Sequence, residues 1–262
     1  MTPAPVLVFA GIDPSGGAGI AADILAIAAQ GGHALPVATA LTVQDNDRVF
    51  GVLPVDPGVV RRQAQALIDK IRVRAVKIGI PGSAANGQAI AELIALLRER
   101  DPRLPVVLDP VLASGNGDAL SRDDAVRALA PLLPLVTLIV PNLPEAARVS
   151  GLAGAADADL AAQAATLRAR GCGHVLITGG HAGGALVRNR WFGPDGERDW
   201  HFQRLPGAFH GSGCTLASAI AALLARGQGM AEALDGAQTY CHRTLASAYP
   251  IAPGQLMPRR FC

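Results

Sequence analysis

The sequence predicts an α/β chain with a largely parallel central sheet and helices on both of its faces. Short apolar runs alternate with Ala-rich stretches of helical spacing through most of the chain, the pattern of strand–helix–strand units. At 262 residues, half of them hydrophobic and only 17% charged, the chain can bury a sizeable core. Polar residues gather just after three of the apolar runs, where a parallel sheet with right-handed crossovers collects its ligand-binding loops on one edge.

Taken in order, PVLVFAG reads as a first strand and AGIAADILAIAAQGG as a helix closed by glycines. ALPVATALTV reads as a second strand, followed by a helix near Pro57–Lys70 and a strand at RAVKIG. In GQAIAELIALLRER, Ile90, Leu93, Ile94 and Leu97 fall at helical spacing. PVVLDPV is the next strand; a helix at Arg122–Leu129 leads to a strand at VTLIVPN. SGLAGAADADL is a loop entering a helix around Asp159–Arg170, too short to be a domain linker. HVLITGG is a strand, ALVRNRWFG with RDWHFQR a hairpin, and helices at Ser212–Ala225 and Met230–Ser247 finish the chain. No internal repeat is present, and residues 1–262 read as one domain.

Composition narrows the function. A net charge of +2 argues against nucleic acid or an anionic membrane as partner. No window offers 18 apolar residues without Pro, Gly or charge, so no membrane span is expected. The start, MTPAPVLVFAGIDPSGG, lacks the basic region of a signal peptide. The four cysteines form no C-x-x-C pair and no zinc-ligand spacing, and read as reduced thiols in a cytoplasmic protein.

The chemistry-bearing loops are GIDPSGGAGIAAD, the residues from Asp109 through ASGNGD, and PNLPEA with Asn142 and Glu145. Gly17-x-Gly19-x-x-Ala22 loosely matches a dinucleotide fingerprint, but IDPSG separates it from the strand, and a small-residue turn accounts for it equally well. No G-x-x-x-x-G-K-[ST] occurs, which argues against a P-loop kinase. Singly, Asp109 reads as a cap and Glu145 as a first-turn carboxylate favoured by the helix dipole. Together, on neighbouring strand ends, they suit Mg²⁺ held largely through waters beside nucleotide phosphates. The six histidines show no metal spacing, and His210 reads equally as a loop hydrogen-bonder or a functional group.

HGSGCTLASAIAALL joins a glycine loop to a buried helix. The unpaired N–H groups and positive dipole end of such a helix suit an anion. Cys214 stands at that mouth. A free cysteine is usually a small buried residue. At a helix N-terminus, however, its pKa should fall from about 8.5 toward neutrality, and a thiolate there could take a proton from a hydroxyl attacking a phosphoryl group.

AGIDPSGGAGIAAD, ALTVQDN, KIGI, VVLDPV, VPNLPEA, CGHVLITGGH and HGSGCT, in that order, resemble the hydroxymethylpyrimidine/phosphomethylpyrimidine kinases of thiamine biosynthesis, members of the ribokinase-like superfamily. The resemblance runs from about residue 6 to about residue 225. It implies a ribokinase-like three-layer sandwich that phosphorylates 4-amino-5-hydroxymethyl-2-methylpyrimidine and then its monophosphate with ATP and Mg²⁺, as a cytoplasmic homodimer. It further implies that Gly211, Ser212, Gly213 and Cys214 form the anion hole, with Cys214 as base. Gln44 would bond the pyrimidine, Gly11 and Ala18 would line its pocket, and Asp23 would stand near it. Asp109 and Glu145 would organise Mg²⁺ and phosphates with support from Asn142, while Thr178 and Gly180 would face the nucleotide.

The chain departs from the family in three places. Thr178 stands where many members have Lys at the strand end before GGH, and neither Lys70, in a helix, nor Lys77, on another strand, takes that place. Ile80 replaces the commoner Met of KIGM, and AYPIAPGQLMPRRFC replaces the family's Gly/His-rich C-terminal segment. Pyridoxal kinase and a catalytically weak pyrimidine sensor are the competing readings, and a nicotinamide oxidoreductase rests only on the Gly17–Ala22 match.

Overall fold

A computed structural model of the protein describes residues 2–113, 117–118, 120, 125–152 and 159–261. The strands are β1 (Ala4–Ile12), β2 (Gly32–Gln44), β3 (Val49–Pro54), β4 (Ala75–Ile78), β5 (Val106–Leu108), β6 (Leu138–Ile139), β7 (His174–Ile177), β8 (Leu186–Gly193) and β9 (Gly196–Gln203). The helices are α1 (Gly19–Ala29), α2 (Pro57–Ile68), α3 (Ala84–Arg100), α4 (Ala125–Leu129), α5 (Leu143–Ser150), α6 (Leu160–Ala169), α7 (Ser212–Ala225) and α8 (Met230–Ala246). All strands join one sheet in the order β3-β2-β1-β4-β5-β6-β7-β8-β9. Pairing is parallel from β2 to β7, and antiparallel where β3 and the β8–β9 hairpin close the edges.

Alternation along β1 shows how the layers form. Leu7 and Phe9 point into a core shared with α2–α6, whereas Val6, Val8 and Ala10 pack against α1, α7 and α8. Both faces are covered, so this central strand carries no polar residue from Val6 to Ala10. α7 is buried from Thr215 to Ala225, and its alanines allow close approach to the sheet, α1 and α8. Strand order reverses between β1 and β4, which opens a crevice at their C-terminal ends.

Helix starts differ according to what they face. Asp56, Ser83, Asn142 and Asp159 cap α2, α3, α5 and α6 with side-chain oxygens. α1 and α7, whose N-termini border the crevice, have no side-chain cap. Their first-turn N–H groups are therefore left for something else.

The sequence reading missed one element, β3, and gave another, α5, no bounds. β3 is an edge strand with Phe50 and Leu53 exposed and a glycine at Gly51, so its apolar alternation is broken. α5 spans only eight residues, too short for a clear period, although Asn142 and Glu145 form a full capping box. β5 and β6 are shorter than the runs that contain them because β-pairing stops where the chain turns into the site. Of the helix expected at Arg122–Leu129, the part before Ala125 lies outside the described residues, as do Ala153–Ala158 of the expected loop.

Candidate functional site

A cavity of about 300 Å³ lies at the C-terminal ends of β1 and β4–β7, with the N-terminus of α7 forming one wall. Gly11, Ala18, Gln44, Asp109, Asn142, Glu145, Thr178, Gly180 and the run Gly211–Cys214 all border it. Residues spread over two hundred positions thus meet at the edge of one sheet.

Two glycine-bearing loops form one side. Asp13 organises the first: its Oδ1 accepts from the Ser15 N–H at 2.8 Å and the Ser15 hydroxyl at 2.7 Å, and its Oδ2 accepts from the Ala18 N–H at 2.7 Å. His210 Nε2 lies 2.9 Å from the same Oδ2 and joins this loop to the one before α7. Burial opposes the Asp13 charge, but His210, Ser15 and Ala18 together hold its pKa below the usual carboxylate value. The loops touch so closely that a Cβ at Gly17 would overlap the His210 ring. One at Gly211, where φ is +72°, would overlap the Gly17 carbonyl. Of the dinucleotide-like match, Gly17 thus serves loop-to-loop packing and Gly19 close approach to the Gly11 carbonyl of β1, while His210 hydrogen-bonds the Asp13 loop.

The floor holds a buried charge cluster. Lys77, on β4, is fully buried, with Nζ 2.8 and 2.9 Å from the two oxygens of Asp23 on α1. The Ser218 hydroxyl donates to Asp23 Oδ1 at 2.6 Å. Asp23, expected beside the substrate, is instead wholly buried beneath the cavity as the counter-ion of Lys77. A charge inside a dry layer must be paired, and Asp23 is the carboxylate that α1 presents to β4. Lys77 itself reaches the cavity floor. Burial disfavours its charge, but the carboxylates of Asp23 and Asp109 outweigh burial and hold its pKa above the ordinary lysine value.

Cys214 corrects a second expectation. Its pKa is not depressed: burial pushes the thiol up to about 12, and nearby Asp109 and Asp23 add to that. The Lys77 ammonium and the Gly19 N–H favour the thiolate but do not overcome the loss of water. The thiol is therefore protonated in the free protein, with the Asp109 carboxyl beside it.

Asp109 and Glu145 are both buried and both resist ionisation. Burial raises Asp109 to about 6, with Lys77 opposing and Asp23 adding. Burial and then the Asp109 charge raise Glu145 to about 8. Glu145 Oε2 accepts from the Asn142 N–H at 2.9 Å, and the Asn142 side chain accepts from the Glu145 N–H at 2.9 Å. The first-turn place read from sequence for Glu145 is present, therefore, on a residue that also borders the cavity. Asp109 Oδ2 is buried without a hydrogen-bond partner among the described residues.

On the far side, Thr178 pairs with Asn142 across adjacent strand ends, and its N–H donates to the Pro141 carbonyl at 2.9 Å. Asn189 accepts from the Gly179 N–H at 3.0 Å and is itself held by Gln238 at 2.8 Å, which fixes the Thr178–Gly180 turn. Arg204 donates to the Gly180 carbonyl at 2.8 Å. Gln44 is half-buried at the opposite end, and its side chain makes no hydrogen bond to the described residues. Ile80 packs over Gly11, where a Cβ would collide with its Cδ1.

Sequence reasoning overlooked Lys77, Asp13 and Asn189 as parts of the site. Lys77 left a signal: a lysine inside an apolar strand needs a buried partner. Asp13 and Asn189 left none, because their roles depend on loops brought together from distant positions.

Residues 13–258 match the phosphomethylpyrimidine kinase family model. A hydroxymethylpyrimidine/phosphomethylpyrimidine kinase of Streptomyces coelicolor is 38% identical over 97% of this chain and 93% of its own length. The crystal structure of an ADP complex of Bacillus subtilis pyridoxal kinase superposes with a TM-score of 0.87 at 27% identity, covering 98% of this chain and 97% of that one. A phosphomethylpyrimidine kinase from Clostridium difficile superposes with a TM-score of 0.77 at 32% identity, covering 92% of this chain and 99% of that one.

Proposed function

Because the chain belongs to the phosphomethylpyrimidine kinase family, we propose that it is an ATP-dependent kinase that phosphorylates 4-amino-5-hydroxymethyl-2-methylpyrimidine and then its monophosphate in thiamine biosynthesis. One observation supports the reading most directly. The uncapped N-terminus of α7, with Cys214 on it, shares a single cavity with Gln44 and the polar ends of β5–β7. One end suits a heteroaromatic ring and the other a phosphate chain, with a proton-handling group between them.

In this reading Gln44 donates to and accepts from the pyrimidine nitrogen and its amino group, while Gly11, Ala18 and Ile80 confine the ring. Thr178, Gly180 and Asn142 border the nucleotide phosphates, and the N–H groups of Gly211–Cys214 receive the transferring phosphoryl group. The Cys214 thiol passes its proton to the Asp109 carboxylate as the sulfur takes the proton of the substrate hydroxyl. The alkoxide oxygen bonds to phosphorus as the bond to the ADP oxygen breaks. A loose transition state asks little of the base, so a thiol that rests protonated can still serve in this relay. The orphaned Asp109 Oδ2 and the all-oxygen pair Asp109–Glu145 fit Mg²⁺, which is held by one or two carboxylates with waters and phosphates. When bound, Mg²⁺ would neutralise phosphate charge beside them.

Residues 1–262 act as one catalytic unit in this reading. The homodimer and the cytoplasmic location implied by the resemblance belong to the same proposal. Ile12, Leu41 and Leu53 lie side by side on adjacent strands and are all exposed, a surface that a second copy would cover. Among the described residues no helix is long and apolar enough to cross a membrane.

The likeness to a pyridoxal kinase makes pyridoxal the competing acceptor. ADP release measured with the hydroxymethylpyrimidine, its monophosphate and pyridoxal decides between them. Turnover with both pyrimidines is expected, and turnover with pyridoxal alone would sink the pyrimidine reading.

A further inference from the structure

A second cation stands behind the anion loop, and it comes from the last residues of the chain. The stretch after α8 forms no helix, yet it is pinned in place. Leu256 bridges Phe209 and Met257 bridges Tyr249. The His210 N–H donates to the Leu256 carbonyl at 2.9 Å, and the Leu256 N–H donates to the Ala208 carbonyl at 2.8 Å. The Tyr240 hydroxyl holds the Arg260 carbonyl at 3.0 Å.

These contacts deliver the Arg260 side chain, only 3% exposed, between the two glycine loops. Nη2 donates to the Gly17 carbonyl at 2.5 Å and to the His210 and Gly211 carbonyls at 3.3 Å each, while Nε donates to the Thr215 hydroxyl at 2.8 Å. None of these partners is a carboxylate. A guanidinium buried against neutral carbonyls orients backbone rather than completing an ion pair.

The direction of that orientation follows from peptide geometry. In a planar trans peptide the C=O and the next residue's N–H point opposite ways, and the described chain has no cis peptide. The His210 carbonyl is drawn onto Arg260, and the Gly211 carbonyl onto Arg260 together with the Thr215 N–H at 3.0 Å and the Thr215 hydroxyl at 2.8 Å, the hydroxyl that Arg260 Nε itself holds; this turns the Gly211 and Ser212 N–H groups to the other side of the loop. Gly211 and Ser212 border the cavity.

We propose that Arg260 is a positioning residue for phosphoryl transfer. It fixes the Gly211 and Ser212 donors toward the transferring phosphate and, through the Gly17 carbonyl, ties that loop to the substrate loop ending at Ala18. The proposal rests on the kinase reading above. It also gives the C-terminal segment a task, since a chain ending before Arg260 would keep every cavity-lining residue and lose the clamp.

The test compares the full-length protein with Arg260→Ala and Arg260→Lys. Binding is measured for ADP alone and for ADP with aluminium fluoride, a mimic of the transferring phosphoryl group. Misplaced donors should weaken the mimic by about 10²-fold, the scale of losing one such donor, while ADP alone changes by no more than about threefold because those donors act mainly on the transferring group. Turnover of Arg260→Ala should fall in parallel with unchanged pyrimidine KM, and added guanidinium ion should restore part of it. Arg260→Lys, which keeps the charge but loses the fork, should fall between the other two; if Arg260→Ala does not fold, this variant carries the comparison. Equal weakening of ADP and the mimic, or a mimic affinity unchanged in both variants, would overturn the proposal. The mimic needs no pyrimidine. A protein that binds it in an Arg260-dependent way but phosphorylates neither pyrimidine would refute the substrate reading and leave this one standing.

Discussion

Removing the charge of Asp23 while keeping its shape, as Asp23→Asn does, exposes what the buried cluster contributes. Lys77 Nζ sits 2.8 Å from one carboxylate oxygen and 2.9 Å from the other, and both side chains are fully buried. Opposite unit charges about 3 Å apart attract by about 5–6 kcal/mol at an effective dielectric of roughly 20. Much of that is cancelled by the dehydration of both ions, so the pair adds little net stability. Breaking it is different, because the ammonium then stays in a dry layer without its partner. The expected loss is about 3–5 kcal/mol, a large share of the roughly 5–15 kcal/mol that holds a domain together. With an m-value of roughly 3 kcal/mol/M, the urea midpoint should fall by about 1–2 M. The double variant Asp23→Leu/Lys77→Met replaces the pair with apolar groups of similar size and should return to within about 1 kcal/mol of the parent. Its turnover should stay low, because the floor has lost the one cation that faces both Cys214 and Asp109 from β4. An Asp23→Asn protein as stable as the parent would refute the buried ion pair. A double variant with full turnover would make Lys77 purely structural.

Cys214→Ala should lower turnover by about 10²–10⁴-fold with little change in substrate binding, and the parent thiol should alkylate slowly at neutral pH because it is protonated; near-normal turnover would return Cys214 to a packing role. Gln44→Leu should weaken pyrimidine binding by about 1–3 kcal/mol for each substrate group left unpaired, with nucleotide affinity untouched in calorimetry; equal losses for both ligands would mean that Gln44 shapes the fold. The second phosphorylation should be slower than the first, since an acceptor phosphate of roughly −2 charge must approach ATP where Thr178 offers no cation. Thr178→Lys should speed that step selectively, and equal parent rates with no response to the lysine would show that Lys77 and Arg260 supply enough charge. Asp109 and Glu145 have folded pKa values of about 6 and about 8, above their ordinary 3.8 and 4.5. The folded state therefore keeps protons that the unfolded state has released, and their contribution to stability falls as pH rises from about 4 to about 8. Asp109→Asn should flatten the lower part of that slope in urea titrations, and Mg²⁺ should raise the Tm more at pH 8 than at pH 5; an unchanged slope would mean that Asp109 ionises freely.

The sequence by itself determined the layer architecture, because period and alternation are local properties. The uninterrupted apolar run of β1 and the spacing of Ile90, Leu93, Ile94 and Leu97 in α3 each declare their environment within a few residues. It also marked the glycine loop with Cys214, since a loop that must approach an anion needs small residues in succession. Edge strand β3 was hidden, and the bounds of short α5 were not legible, because partial exposure and short length erase the period. Only the tertiary structure decided the electrostatics. A helix N-terminus favours a thiolate locally, yet Cys214 is held protonated by burial and by Asp109 and Asp23, which arrive from other elements. Asp23 lies four residues past Gly19 in α1, beside a loop that lines the cavity, but its helical position turns it under the floor toward a lysine 54 positions away. Arg260 reaches the Gly17 carbonyl across 243 positions. Charge and hydrogen-bond geometry act through space over a few ångströms, so residues far apart in the chain acquire their roles only after the core has packed.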